Sequence, residues 1–261
     1  MVHAFDLLDK IRENVSSVVF EPAFSNEVHS RLCRTPRVLK SDADCLQEMA
    51  SLIAFSQGAR SDLVAKMIEE GGLQTAFAGF NVAEVAALDS ESVTRIHWER
   101  IRCVRFKKKV TGIVRSAVAL ETLRNNGFSL HEYINMYPSK IQTADDIPAF
   151  WRSFDELRAR FVSVNMPYFN QLTTQLHLLL HLGFDCVKPD VIVQRTAIDI
   201  GLLPAKPRQA DLRELVKSIQ EYSISRKVRP GIVDLYLLVY GGQTWAMQFV
   251  HERVPRISPA A

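Results

Sequence analysis

The sequence predicts an all-α protein. Apolar residues recur at three- and four-residue spacing almost throughout, and no two β-branched runs are joined by a tight Asn-Gly or Asp-Gly turn. Ser, Asp, Asn, Gly and Pro stand where helix caps and stops would fall, so the chain reads as a succession of mostly short helices with short joints.

In order, Asp42 or Ser41 caps a helix carrying Leu46, Met49, Leu52, Ile53 and Phe55. Ser61 opens another through Leu63, Val64, Met67 and Ile68, stopped by Gly71-Gly72. Asn81 caps a short helix over 82–88, and Ser90, with Val93 and Ile96, begins the next. A longer helix is predicted over 106–125, with Val110, Ile113, Val114, Ala117 and Leu120 on one face and Gly127 behind it, followed by one over 129–136. Pro138 and Pro148 bracket a polar connection. The helix after it, over 149–162, is rich in aromatic residues: Phe150, Trp151, Phe154 and Phe161. An apolar helix over 172–182 stops at Gly183, and a further helix covers 191–202. Beyond Pro204 and Pro207, Asp211 caps a helix through Leu212, Leu215, Val216 and Ile219, and Pro230 in a first turn leads into 232–240. The last ten residues, with Pro255 and Pro259, read as a loose tail.

With 261 residues, 47% of them hydrophobic and 23% charged, the chain can bury a core of its own. No run approaches the ~20 apolar residues of a membrane span. The segment Met1-Val2-His3-Ala4-Phe5-Asp6 lacks the basic flank and apolar stretch of a secretory signal, so an intracellular protein is expected. Cys33, Cys45, Cys103 and Cys186 lie too far apart for zinc or iron–sulfur spacing and are expected to be free thiols. Net charge is only +3, but basic residues clump: Arg95, Arg100, Arg102, Arg105, Lys107, Lys108 and Lys109 face a single acid, Glu99. A second group holds Lys206, Arg208, Arg213, Lys217, Arg226, Lys227 and Arg229. Either cluster is a solvated face or a surface for a polyanion.

The most informative segment is Lys188-Pro189-Asp190-Val191-Ile192-Val193-Gln194-Arg195. A lone carboxylate follows a proline between two apolar helices, where Asp190 serves as a helix cap, as a catalytic carboxylate, or as both. His177 and His181 have helical metal-ligand spacing but only leucines between them and no third ligand nearby, so no metal and no cofactor are expected.

This order of helices and the segment Pro189 to Arg195 resemble the helix-hairpin-helix (HhH-GPD) DNA glycosylases, whose segment after the hairpin reads V-D-T-H-V-x-R with a catalytic aspartate. Asp190, Val193 and Arg195 match it. The hairpin, L-P-G-x-G in that family, falls in register with Met166-Pro167-Tyr168-Phe169-Asn170, where Tyr168 and Asn170 stand at the glycine positions. Leu52-Ile53-Ala54-Phe55-Ser56-Gln57 is similar to the family's L-L-S-x-Q helix end. The stretch from Phe77 to Leu120, with Arg105-x-x-Lys108 and Ile113, looks closest to bacterial 3-methyladenine glycosylases.

The resemblance implies a two-lobed helical glycosylase fold, with the active-site cleft between the lobes. The whole of 1–261 is then one bilobal unit, with a core at 42–203, the hairpin at 166–183, the catalytic segment at 188–195 and a tail at 251–261. It implies Asp190 as the carboxylate that stabilises the cationic sugar and accepts a proton from water. Bifunctional members carry a hairpin lysine. Leu172 occupies that register and forms no Schiff base, so a monofunctional enzyme is expected. Lys188, two residues from Asp190, is a conceivable substitute amine, but an ion pair or a phosphate contact is the plainer reading.

Gln57 is the residue to fill the gap left by an extruded base, or else a polar helix end. Trp98, Trp151, Phe154, Tyr168 and Phe169 are pocket walls or core. Glu99 is a possible reader of a base edge. Arg105, Lys107, Lys108, Lys109, Asn170 and Lys188 are the expected DNA contacts, whereas Arg195 is the expected partner of a carboxylate. The methyladenine enzymes' base-reading glutamate has no counterpart at the aligned position, so base specificity does not carry over. The expectation is a monomer acting on double-stranded DNA in the cytoplasm, at the nucleoid, either in repair or in defence against phage with modified bases. A non-catalytic helical DNA-binding protein on the same scaffold is the alternative.

Overall fold

The computed structural model describes residues 2–257, with the side chains of Val2 and His3 outside the description. Pro259 and the end of the expected tail therefore lie outside the described residues. Among them the chain forms α1 (Val2–Ser16), α2 (Ala23–Cys33), α3 (Asp42–Phe55), α4 (Ser61–Glu69), α5 (Gly72–Ala76), α6 (Val82–Ala86), α7 (Ser90–Ile101), α8 (Lys108–Asn125), α9 (Leu130–Met136), α10 (Asp146–Ser163), α11 (Leu172–His181), α12 (Val191–Asp199), α13 (Gln209–Arg226) and α14 (Pro230–Tyr240). The all-α expectation holds: no strand forms among the described residues, and β pairing is confined to an isolated antiparallel bridge between Val19 and Val250. No described helix is long and apolar enough to cross a membrane.

The chain divides into two compact units, each assembled from separated stretches. The first comprises 1–36, 138–152 and 172–261, and the second 37–137 and 153–171. In the second unit, α8 is buried on nearly every side through Val110, Gly112, Ile113, Val114, Ser116, Ala117, Ala119, Leu120 and Leu123, and α3 and α6 pack on it. Each such apolar side chain removed from water contributes roughly 1.5–3 kcal/mol, so α8 organises that unit. In the first unit α14 plays the same part, with Ile232, Val233, Leu235, Leu237 and Val239 buried against α1, α2, α12 and α13.

Caps follow chemistry. The Ser41 hydroxyl accepts from Asp44 N, and Asn81 Oδ1 accepts from Glu84 N, as expected. Elsewhere the boundaries shift for identifiable reasons. The helix expected from Phe106 starts at Lys108, because Arg102–Val104 winds as a 3-10 turn and Arg105 then takes φ +77°, which no α-helix continues. The helix expected from Ala149 starts at Asp146, where Asp146 Oδ2 accepts from Gln142 N and Thr143 N. Pro148 sits in its first turn, where its missing N–H costs no bond. The helix after Asp190 ends at Asp199, with Gly201 at φ +79° stopping it earlier than Leu202. Asp211 is not the cap of its helix but the third residue in it, its Oδ2 accepting from Arg208 N at 2.7 Å. The helix begun at Ser90 is capped by Asp89. Two helices, α1 and α2, precede the first one placed from the sequence.

Candidate active site

Asp190 caps α12. Its Oδ1 accepts from Ile192 N at 3.0 Å and Val193 N at 3.1 Å, while Oδ2 lies 3.4 Å from Lys188 Nζ. The side chain is 26% exposed, so the carboxylate is oriented yet reachable. The peptide that carries it is fixed from three directions. Pro189 O accepts from Gln194 Nε2 at 2.7 Å and from Thr173 Oγ1 at 3.3 Å, and Lys188 N donates to Asp234 Oδ1 at 3.3 Å. Asp234 is buried and paired with Arg31 Nη1 at 3.4 Å. Burial pushes its carboxyl above the usual range, the Arg31 guanidinium opposing. His177 is held neutral: burial drives its imidazole down to about 3, with Lys188 and His181 pushing the same way. The arrangement offers one fixed, partly exposed carboxylate, which is what stabilising a sugar cation and accepting a proton from water require. Leu172 is 2% exposed and brings no amine. No group of three or more metal-ligating side chains forms among the described residues.

In the second unit, Gln57 follows the end of α3 at φ +54° and is exposed. Two of the expected phosphate ligands are engaged with that turn. Lys109 is wholly buried, with Nζ donating to Ala54 O at 2.9 Å and Ser56 O at 2.6 Å, so it caps the carbonyl end of α3 and its expected role as a DNA contact does not fit its position. Burial, with Arg105 and Lys108 adding to it, lowers its ammonium to about 8. Arg105 is exposed and donates Nη1 to Gly58 O at 3.0 Å. Lys107 and Lys108 remain on the surface, and Lys107 Nζ stands 5.6 Å from the Trp98 ring centroid. With Ser90, Thr94 and Arg95 they line an open groove of about 680 Å³. Glu99 is solvent-exposed and lies 3.2 Å from Arg102.

The turn at 166–170 holds a left-handed residue without a glycine. Tyr168 adopts φ +65°, in the left-handed region that favours glycine. Its ring lies against α8 at Gly112, where a Cβ would sit 2.5 Å from Tyr168 Cε2. The glycine the hairpin lacks is thus matched by one on the facing helix. Phe169 N donates to Pro167 O at 2.8 Å and Asn170 O accepts from Arg158 Nε at 3.4 Å.

The sequence model of the methyladenine glycosylase family matches residues 37–177, more than half of the chain. The chain belongs to the methyladenine glycosylase family. Neither a curated protein nor a solved structure matches it. Membership makes this methyladenine glycosylase homologue a DNA N-glycosylase of the helix-hairpin-helix superfamily, with DNA as its substrate and base excision as its setting. The matched span covers Gln57, Trp98, Arg105, Lys107, Lys108, Lys109, Trp151, Phe154, Tyr168, Phe169 and Asn170, and ends before Lys188 and Asp190.

Within this glycosylase the expected site residues fall into two sets. Lys188, Asp190 and Trp151 belong to the first unit, and Gln57, Trp98, Arg105, Lys107, Lys108, Lys109, Phe154, Tyr168, Phe169 and Asn170 to the second. Trp151 and Phe154 are core rather than pocket wall: both are nearly inaccessible, and Trp151 Nε1 donates to buried Gln220 Oε1 at 2.9 Å, with Arg213 over its ring at 4.5 Å. Phe169, at 3% exposed, is also buried, which leaves Trp98 and Tyr168 as the partly accessible aromatic candidates. Asp234, Gln194 and Thr173 were not singled out from the sequence. A lone carboxylate in the otherwise apolar run Ile232-Val233-Asp234-Leu235 was the available signal for Asp234.

Proposed function

We propose that the chain is a monofunctional DNA glycosylase that extrudes an alkylated or otherwise modified base from duplex DNA, hydrolyses its N-glycosyl bond and leaves an abasic site in an intact strand. The observation that carries this reading is Asp190 itself, a carboxylate aimed by two helix amides on a peptide pinned by Gln194, Thr173 and Asp234. As the C1′–N bond breaks, its electron pair leaves with the base and positive charge builds on the sugar. Asp190 stabilises that charge and takes the proton of the water that adds to C1′. Gln57 fills the gap in the stack, Trp98 and Tyr168 offer aromatic faces to the base, and Lys107 and Lys108 hold phosphates. A cationic alkylated base gains from such faces by cation–π attraction. Buried Leu172 at the register of the lyase amine supports hydrolysis without strand scission.

The test is mass spectrometry of bases released from alkylated, deaminated and glucosylated-hydroxymethylcytosine duplexes, with the same DNA run on a denaturing gel. Release of one modified base with uncut strands supports the reading, and release from the glucosylated duplex would assign the enzyme to defence against phage. Strand cleavage before alkali treatment would refute the monofunctional assignment. Binding to all three duplexes without release from any would favour the non-catalytic alternative.

A further inference from the structure

Gln57 sits between carbonyls that are gripped by cations. Lys109 Nζ holds Ala54 O at 2.9 Å and Ser56 O at 2.6 Å, and Arg105 Nη1 holds Gly58 O at 3.0 Å. The backbone they secure is unusual: Gln57 and Gly58 take successive left-handed conformations, φ +54° and +71°. An L residue seldom rests there unless its surroundings hold it. Gly58 also makes room for the grip, since a Cβ on it would lie 2.8 Å from Arg105 Nη1. Arg105 reaches this carbonyl from its own left-handed position at φ +77°, just before α8. Lys109 lies one helical turn further, buried in the first turn of α8, where a charge spent on two carbonyls is unavailable to DNA.

We propose that Arg105 and Lys109 are positioning residues, which set the Gln57 turn in the form that enters the duplex, and that neither acts as a phosphate ligand. This inference rests on reading Gln57 as the residue that fills the gap. A turn already ordered before DNA arrives loses less freedom on insertion, so removing the grip is felt in base extrusion more than in duplex affinity.

The test uses the full chain as wild type, Arg105→Ala, Lys109→Met, Gln57→Ala and the double variant Arg105→Ala/Gln57→Ala. Amide hydrogen exchange is followed at residues 56–59 without DNA, together with base release from dimethyl-sulfate-treated duplex and the salt dependence of duplex binding. Arg105 is exposed, so Arg105→Ala remains informative even where Lys109→Met fails to fold. Faster exchange at the turn, base release slowed roughly tenfold, an unchanged salt slope, and no further loss when Arg105→Ala is added to Gln57→Ala are the expected results. A salt slope reduced by about 0.9, the value for one lost phosphate contact, or an Arg105→Ala loss that persists in full beside Gln57→Ala, would overturn the proposal. So would unchanged exchange at 56–59. Faster exchange with base release untouched by Gln57→Ala would instead refute the gap-filling reading, and with it the positioning role, while leaving the grip in place.

Discussion

Gly112→Ala isolates the contact that replaces the hairpin glycine. The added methyl would sit 2.5 Å from Tyr168 Cε2, 3.3 Å from Cδ2 and 3.4 Å from Cζ. Carbon pairs prefer about 3.5–4.0 Å, so the ring must withdraw by on the order of 1 Å, from a residue already held at a left-handed backbone angle. Overpacking of this kind costs roughly 1–3 kcal/mol. Against it, replacing a mid-helix glycine by alanine favours α8 by about 1 kcal/mol. The net loss of stability is therefore small, roughly 0–2 kcal/mol, while base release falls because Tyr168 is displaced. Urea denaturation and single-turnover base release on alkylated duplex measure the two effects. The decisive comparison is a double-mutant cycle with Tyr168→Ala. With the ring gone, Gly112→Ala should become neutral or stabilising by up to about 1 kcal/mol. Equal destabilisation with and without the ring, or unaltered base release by Gly112→Ala, would refute the reasoning.

Trp151→Phe removes the indole N–H donated to Gln220 Oε1 in a buried setting, and should lower stability by roughly 1–3 kcal/mol in denaturant titrations while leaving the single-turnover rate of base release within about twofold. His177 is neutral in the folded chain down to about pH 3, whereas in the unfolded chain it protonates below about 6.5, so unfolding takes up an extra proton between these values. Stability should accordingly fall as pH drops through that window, with this histidine contributing up to about 1.4 kcal/mol per pH unit, and the difference between wild type and His177→Leu should grow in favour of the variant from pH 6 to pH 4. A pH-independent difference between the two would contradict the assignment.

Periodicity and cap chemistry made most of the fold legible, because a helix buried on one stripe leaves that stripe in the sequence. Leu7, Leu8, Ile11 and Val15 of α1 show it too, although the first helix placed from the sequence begins near Ser41. Charge clustering was less informative. Lys107, Lys108 and Lys109 are equivalent as a run, and only helical spacing separates them, since Lys109 shares a face with Ile113, Ser116 and Leu120, all buried. The turn at 166–170 was legible in position but not in geometry. Tyr168 stands where the resembled motif has glycine, and its left-handed backbone is accommodated beside Gly112, distant in sequence, which leaves space for the ring. The anchors of the Asp190 peptide were hidden for the same reason. Asp234, Gln194 and Thr173 converge on it only through tertiary packing.

The central claim is that the charge of Asp190 performs the excision. Asparagine caps a helix about as well as aspartate, so Asp190→Asn should preserve the amide bonds to Ile192 and Val193, the fold and duplex affinity, while removing the negative charge. The direct measurement is single-turnover base release from alkylated duplex by wild type and Asp190→Asn, with thermal unfolding and duplex binding measured on the same preparations. A rate reduced by at least about a hundredfold in a variant that folds and binds normally is the predicted result. Base release at the wild-type rate by Asp190→Asn would contradict the account and reduce Asp190 to a helix cap.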